Sequence, residues 1–242
     1  MLDNVKIEDV LFLDIETVPK TSDYNSLDTY EQELWEEKRG KNRSEDENAT
    51  DYYFNNAGIF AEFGRIICIS VGWISQNGMF TTFELTSFYG DDEQKLLKEF
   101  TAFLKQRSIN TRNLALCGHN IREFDVPYIC RRLIMNGLSL PAYFDNLQTK
   151  KPWEAGLLDS MDWWKFGDFK NYISLKLLAF CLGIPSPKDD ISGKDVGKVY
   201  WQEKGLERIK TYCQKDVLTV AQILLKLKGL SLISESNVKI NN

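Results

Sequence analysis

The chain has 242 residues, 43% of them hydrophobic and 27% charged, with a formal net charge of -5 and a mean hydropathy of -0.34. That is enough apolar content for a packed core in one large or two small domains, and the longest apolar runs are well short of a membrane span. The acidic balance argues against tight, extended duplex binding, which usually shows a basic surface, but not against a grip on a few nucleotides through metal ions.

The opening MLDNVKIEDV has no charged-then-apolar leader, so no signal peptide is expected. The five cysteines (Cys68, Cys117, Cys130, Cys181, Cys213) mostly lie in apolar segments and form no CxxC or Cys/His cluster. They read as reduced core residues of a cytoplasmic protein.

Taken in chain order, residues 9–17 read as a strand and 27–41 as a polar helix. Residues 42–57, rich in Asn, Asp and Glu, read as a mobile loop. The stretch 20–62 lacks apolar periodicity and is expected to be an insertion rather than a domain. Residues 65–74 and 78–88 suggest an antiparallel hairpin around Gln76-Asn77-Gly78. Leu96, Leu97, Phe100, Phe103 and Leu104 give 91–106 a helical spacing. Residues 113–118 read as a short buried strand, 126–136 as a helix stopped by Gly137, and 156–160 as a last short strand. Helices follow at 172–182 and about 205–228, and the polar tail 234–242 is expected to be loose. This order predicts one domain over 1–233, an α/β fold with a mixed sheet of about five strands and helices on both faces.

Three separated segments carry the chemistry. In VLFLDIET, alternation places Val10, Phe12, Asp14 and Glu16 on one face and Leu11, Leu13 and Ile15 on the other. Both faces are apolar at first, as in a central strand covered on both sides. Two acids then end one face, where they repel unless a cation lies between them. A strand emerging into solvent at Asp14 would look the same. Asp125, in GHNIREFDVPYICRRL, precedes a proline that fits a first helical turn, so it could be a plain N-cap. Its place after a buried strand also sets it at a carboxyl edge, where sites form on open sheets. Tyr212 and Asp216 stand four residues apart in a stripe made by Ile209, Cys213, Val217, Val220, Ile223, Leu224 and Leu227, so their side chains share one helix face. A carboxylate on a buried face needs a charged partner or a proton; an arginine would serve as well as a metal ion. Convergent carboxylates suit divalent cations, and such pairs of ions do phosphoryl chemistry. The single histidine, His119, excludes a zinc site built on several histidines and reads as a packed or capping residue.

Together these segments resemble the DEDD family of 3′–5′ exonucleases, in its tyrosine-type branch, and within it the proofreading exonuclease domain of family-B DNA polymerases. The match runs through LFLDIET for the first motif. Asn120-Ile121-Arg122-Glu123-Phe124-Asp125-Val126-Pro127-Tyr128 gives the second, and Tyr212 to Asp216 the third. Segments 63–73 and 174–196 are similar too. The histidine-type branch is excluded, since no histidine follows residue 119.

The resemblance implies a stand-alone relative with a ribonuclease H-like fold that takes two Mg2+ or Mn2+ ions. Asp14 would bridge both ions, Glu16 and Asp216 would hold the one on the attacking water, and Asp125 would reach the other through water. Tyr212 would orient the water. The substrate implied is the 3′ end of a single-stranded nucleic acid, with DNA favoured and no membrane partner. Asn120, Phe124 and Lys194 are candidate nucleic-acid contacts, as are Lys150 and Lys151; a core Phe, a turn-capping Asn and solvated lysines are the plain alternatives. A nucleic-acid-binding module with an idle site, a metal-dependent endonuclease and a glycosidase on paired acids are the rival readings.

Overall fold

In the computed structural model, residues 2–39, 42–44, 47–77, 80–111, 113–145, 147–149, 156–168, 170–185 and 191–241 are described. Strand β1 (Val10–Pro19) is central. It pairs antiparallel with β2 (Gly64–Asn77), which pairs antiparallel with β3 (Phe80–Tyr89). On its other side β1 runs parallel to β4 (Ala115–Gly118), and β4 runs parallel to β5 (Leu157–Asp159). A sixth strand, β6 (Val238–Asn241), adds parallel to β3, giving the order β5-β4-β1-β2-β3-β6. The sheet therefore has six strands rather than about five. The tail expected to be loose is a strand because the free edge of β3 offers it a backbone ladder, and ladder bonds need no apolar pattern.

The alternation of β1 sorts two cores. Leu11, Leu13 and Ile15 face α3 (Glu93–Asn110) and α4 (Asp125–Met135), against Leu96, Leu97, Phe100, Val126 and Ile129. Val10 and Phe12 face α8 (Leu206–Leu227), against Val217, Val220, Ala221 and Leu224. Asp14 and Glu16 continue the α8 face. Helix α8 buries Gln214, Thr219 and Gln222 beside its apolar stripe, so its covered face is wider than the stripe alone.

The stretch 20–62 has a core of its own. Helices α1 (Thr29–Arg39) and α2 (Ala49–Asn56) enclose Leu27, Trp35, Tyr52, Tyr53, Ala57 and Phe63. Trp35 lies edge-on to Phe63 at 5.1 Å and to Tyr53 at 5.3 Å between ring centroids. A segment expected to be a mobile loop thus carries α2, because a few large rings spaced widely in sequence bury as much surface as a periodic stripe. Short helices α5 (Ser160–Lys165), α6 (Leu175–Cys181) and α7 (Val196–Trp201) connect β5 to α8. Among the described residues no helix is long and apolar enough to cross a membrane.

Candidate active site

The three segments meet at the middle of β1, just beyond its ladder with β4. Glu16 is buried and Asp14 half-buried, each opposite a β2 residue: Asp14 pairs with Ser70 and Glu16 with Cys68. Helix α8 crosses β1 here and brings Cys213, whose Sγ lies within 4.8 Å of a carboxylate oxygen of both Asp14 and Glu16. Tyr212 and Asp216, both half-buried, sit on the same helix, and their side chains share a hydrogen bond.

Asp125 is the first residue of α4 and is buried. It is not a plain N-cap, since its carboxylate reaches across to β1 and accepts the backbone N–H of Ile15 at 3.2 Å. This bond holds the start of α4 against the residue between Asp14 and Glu16.

Among the described residues, Asp14 and Glu16 are shifted chiefly by burial and other acids, with no lysine or arginine among the causes. Burial, then the charges of Glu16, Asp216 and Asp125, push the Asp14 carboxyl well above the usual range. Burial, then Asp216, does the same to Glu16. Asp125 is pushed up to about 7 by burial, against the two backbone N–H groups that favour its charged form. One oxygen of Asp14 is buried without any hydrogen-bond partner, a position that costs free energy in a protein interior. Burial and then Asp216 also push the Tyr212 hydroxyl far above its ordinary value, so it stays protonated.

This arrangement fits divalent cations of the Mg2+ or Mn2+ kind. Such ions favour carboxylate oxygens, and a cation is what relieves mutually raised carboxylates. Cys213 is a poorer donor. Burial raises its thiol well above the usual range, and its Sγ–H points to the carbonyl oxygen of Asp14 at 3.4 Å.

The lower-ranked candidates sit otherwise. Asn120 adopts a left-handed backbone (φ 63°) and its N–H donates to Asp159 at 2.9 Å; it shapes the turn after β4. Phe124 is half-buried against the core, 5.4 Å from the Tyr128 ring. Lys194 is exposed in the turn before α7. Lys150 and Lys151 lie outside the described residues. His119 is a packing residue: its Nε2 meets the Ile173 carbonyl and its Nδ1 the Ser160 hydroxyl, both at 2.8 Å, and burial lowers its pKa.

Two residues near the site escaped the sequence reading. Asp159, at the end of β5, is buried and accepts the N–H groups of Asn120, Arg122 and Met161 at 2.9, 3.2 and 3.0 Å. It fixes the loop that delivers Asp125. Its signal was a lone acid ending an apolar strand, weaker than the paired acids that marked Asp14 and Glu16. Cys213 was legible only as one more core cysteine, since only the crossing of α8 over β1 shows what it touches.

A mixed sheet with this strand order and carboxylates on its central strand defines the ribonuclease H-like class. The chain belongs to the family described as a predicted 3′-5′ exonuclease related to the exonuclease domain of PolB, whose model matches residues 59–235. That match begins after Asp14 and Glu16, so the first pair rests on the geometry above. The fold is similar to that of the family B DNA polymerase from the hyperthermophilic archaeon Pyrobaculum calidifontis, with a TM-score of 0.55 and 16% sequence identity, over 90% of this chain and 24% of the polymerase. No match to a curated protein was found.

Proposed function

We propose that the protein is a metal-dependent 3′–5′ exonuclease that shortens single-stranded nucleic acid, DNA by preference, and releases nucleoside 5′-monophosphates. The observation that carries this reading is the set of buried and half-buried acids, Asp14, Glu16, Asp125 and Asp216, converging from β1, α4 and α8, with Asp14, Glu16 and Asp125 raised in proton affinity. No Lys or Arg among the described residues offsets Asp14 or Glu16.

Asp14, Glu16, Asp125 and Asp216 would hold two Mg2+ or Mn2+ ions. When bound, such ions lower the pKa of water and stabilise charge on a leaving oxygen. The protein's own residues do the rest. Asp125, clamped to the Ile15 N–H, and Asp14 and Glu16, fixed in the β1 ladder, set the geometry in which the terminal phosphodiester is presented. Tyr212, protonated and hydrogen-bonded with Asp216, donates or accepts a bond that orients the attacking water. Water attacks phosphorus, the P–O3′ bond breaks, and the leaving 3′ oxygen takes up a proton from solvent. No covalent intermediate is required.

The test uses 5′-labelled single-stranded DNA and RNA oligonucleotides with Mg2+, Mn2+ or EDTA, and wild type beside Asp14→Ala. The expected result is a ladder shortening from the 3′ end, lost in EDTA and in the variant. Cleavage of a circular single strand would favour an endonuclease. No cleavage of any strand in either metal would favour a binding module of the same fold.

A further inference from the structure

The segment between β5 and α7 exposes large apolar side chains that a packed domain has no use for. Phe166 is 75% exposed and Tyr172 64%, and on α6 Leu177 and Phe180 are 51% and 78% exposed. Scattered exposed residues of this kind are normal, but a group on one short segment marks a contact surface.

Phe166 makes the case sharper. It ends α5 in the left-handed region (φ 45°, ψ 34°), a conformation that glycine adopts freely and a phenylalanine resists. Its ring is mostly in water, so packing offers little return for that strain. Local conflicts of this sort concentrate where a side chain serves function.

The segment is also tied to the carboxylate site. Arg122 pairs with Asp162 at 3.0 Å, and Lys165 meets Asp162 at 3.4 Å and Glu123 at 4.0 Å. The Ile173 carbonyl is held by His119 at 2.8 Å. Residues 119–123 are the loop that leads directly into Asp125. The Lys165 ammonium also sits 4.8 Å from the centre of the Tyr172 ring, which fixes that ring. Lys170 and Lys176 stand exposed on the same segment and form no ion pair among the described residues.

We infer that Phe166 and Tyr172 form a stacking platform for unpaired bases of the substrate upstream of its two 3′-terminal nucleotides, with Lys170 and Lys176 meeting the phosphates between them. The inference rests on the exonuclease reading for its substrate class, and it adds the surface that grips the strand. Aromatic faces accept any base, so the platform would give length-dependent rather than sequence-dependent affinity. A strand lying there continues from the site at Asp125, because the same loop carries the platform's anchors and the carboxylate.

The experiment compares wild type with Phe166→Gly and Tyr172→Ala. Binding of a fluorescein-labelled twelve-nucleotide oligo(dT) is followed by anisotropy in EDTA, and cleavage of that strand and of a dinucleotide is followed with Mn2+. Phe166→Gly is expected to fold at least as stably as wild type, since glycine takes this backbone without strain. Each variant is expected to weaken twelve-nucleotide binding by about tenfold or more, to raise KM for that strand to a similar degree, and to leave dinucleotide cleavage unchanged. Binding within twofold of wild type in both variants would overturn the platform, as would a change in sedimentation alone, which would mark the patch as a protein-contact surface. If wild type cleaves neither substrate yet the variants lose binding, the platform stands and the exonuclease reading fails. If wild type binds no oligonucleotide, both fall.

Discussion

The molecule buries acids in two places and treats them in opposite ways. Glu93, at the start of α3, is as buried as Glu16, each 7% exposed. Around Glu93 every valence is answered. Arg132 on α4 grips both its oxygens, the Ile66 N–H donates to it at 2.7 Å, and the Asn136 amide at 3.0 Å. Arg132 in turn donates to the Ala61 carbonyl at 2.9 Å. This is a brace that ties α3, α4 and β2 together. Across the sheet, Asp14 and Glu16 have each other, Asp216 and Asp125 for company, and one Asp14 oxygen has no partner. Among the described residues no arginine or lysine offsets Asp14 or Glu16. A carboxylate that brings its own cation is architecture; a group of carboxylates left without one is a site prepared for something charged that arrives from outside.

The largest effect that would break this contrast is on activity. Asp14→Asn should abolish metal-dependent cleavage, by roughly a thousandfold or more, since each tenfold loss corresponds to about 1.4 kcal/mol of transition-state stabilisation and a metal-held charge supplies several kcal/mol. The same substitution should leave the metal-free protein as stable as wild type or more so, because it removes a charge that has no partner. Thermal melting in EDTA beside a cleavage assay checks both halves, and a large drop in stability would mean that Asp14 is bracing the fold after all.

Glu93→Ala is the mirror experiment. It strands the Arg132 guanidinium, and breaking a buried pair from one side costs about 3–5 kcal/mol. Urea unfolding should show that loss, while cleavage per folded molecule at low temperature stays near wild type. Activity falling in step with Asp14→Asn would place Glu93 in the site instead.

The pH dependence of stability sharpens the same point. Asp125 has an ordinary carboxyl pKa of 3.8, raised to about 7 in the folded chain, and Asp14 and Glu16 are raised as well. A carboxyl raised on folding binds its proton more tightly in the folded state, so Asp125 alone should cost the metal-free protein stability as pH rises from about 4 to about 7, on the order of a few kcal/mol, with Asp14 and Glu16 adding loss in the same direction. Acids held by an internal cation would give the opposite slope. Adding Mn2+ should restore the melting temperature, and more at pH 7.5 than at pH 5. A metal effect independent of pH would contradict the picture of protonated acids giving way to bound cations.

How much of this was legible beforehand depends on how local each signal is. The alternation in β1 separated the faces correctly, and Asp14 and Glu16 do continue the Val10–Phe12 face toward α8. The hairpin partners Ile69 and Phe88 and the span of α8 also follow from period and turn chemistry. The Glu93–Arg132 brace was not legible, because its partners are 39 residues apart and each alone looks like a helix-surface charge. Strand β6 escaped because a polar, exposed edge strand carries no burial pattern. The aromatic core around Trp35 escaped because its members are spread from Leu27 to Phe63 without a period. Asp125 was placed at the right edge, but whether its carboxylate capped its own helix or reached β1 depended on a bond 110 residues apart in sequence.

The smallest of these effects decides what Tyr212 does. Its hydroxyl shares a hydrogen bond with Asp216, and burial with the surrounding acids holds its proton far more tightly than an ordinary phenol. It is therefore a poor base at any working pH, and in the proposed mechanism it would aim a water rather than take a proton from it. Tyr212→Phe keeps the ring packed against its neighbours and removes only that bond, so cleavage should slow by roughly ten- to a hundredfold, the scale of a misplaced reactant, with KM little changed. The pH–rate profile should keep its shape between wild type and variant, only lowered. A general base would behave differently, since removing it would erase a limb of the profile, and that outcome would shift the proton-accepting role onto the phenol.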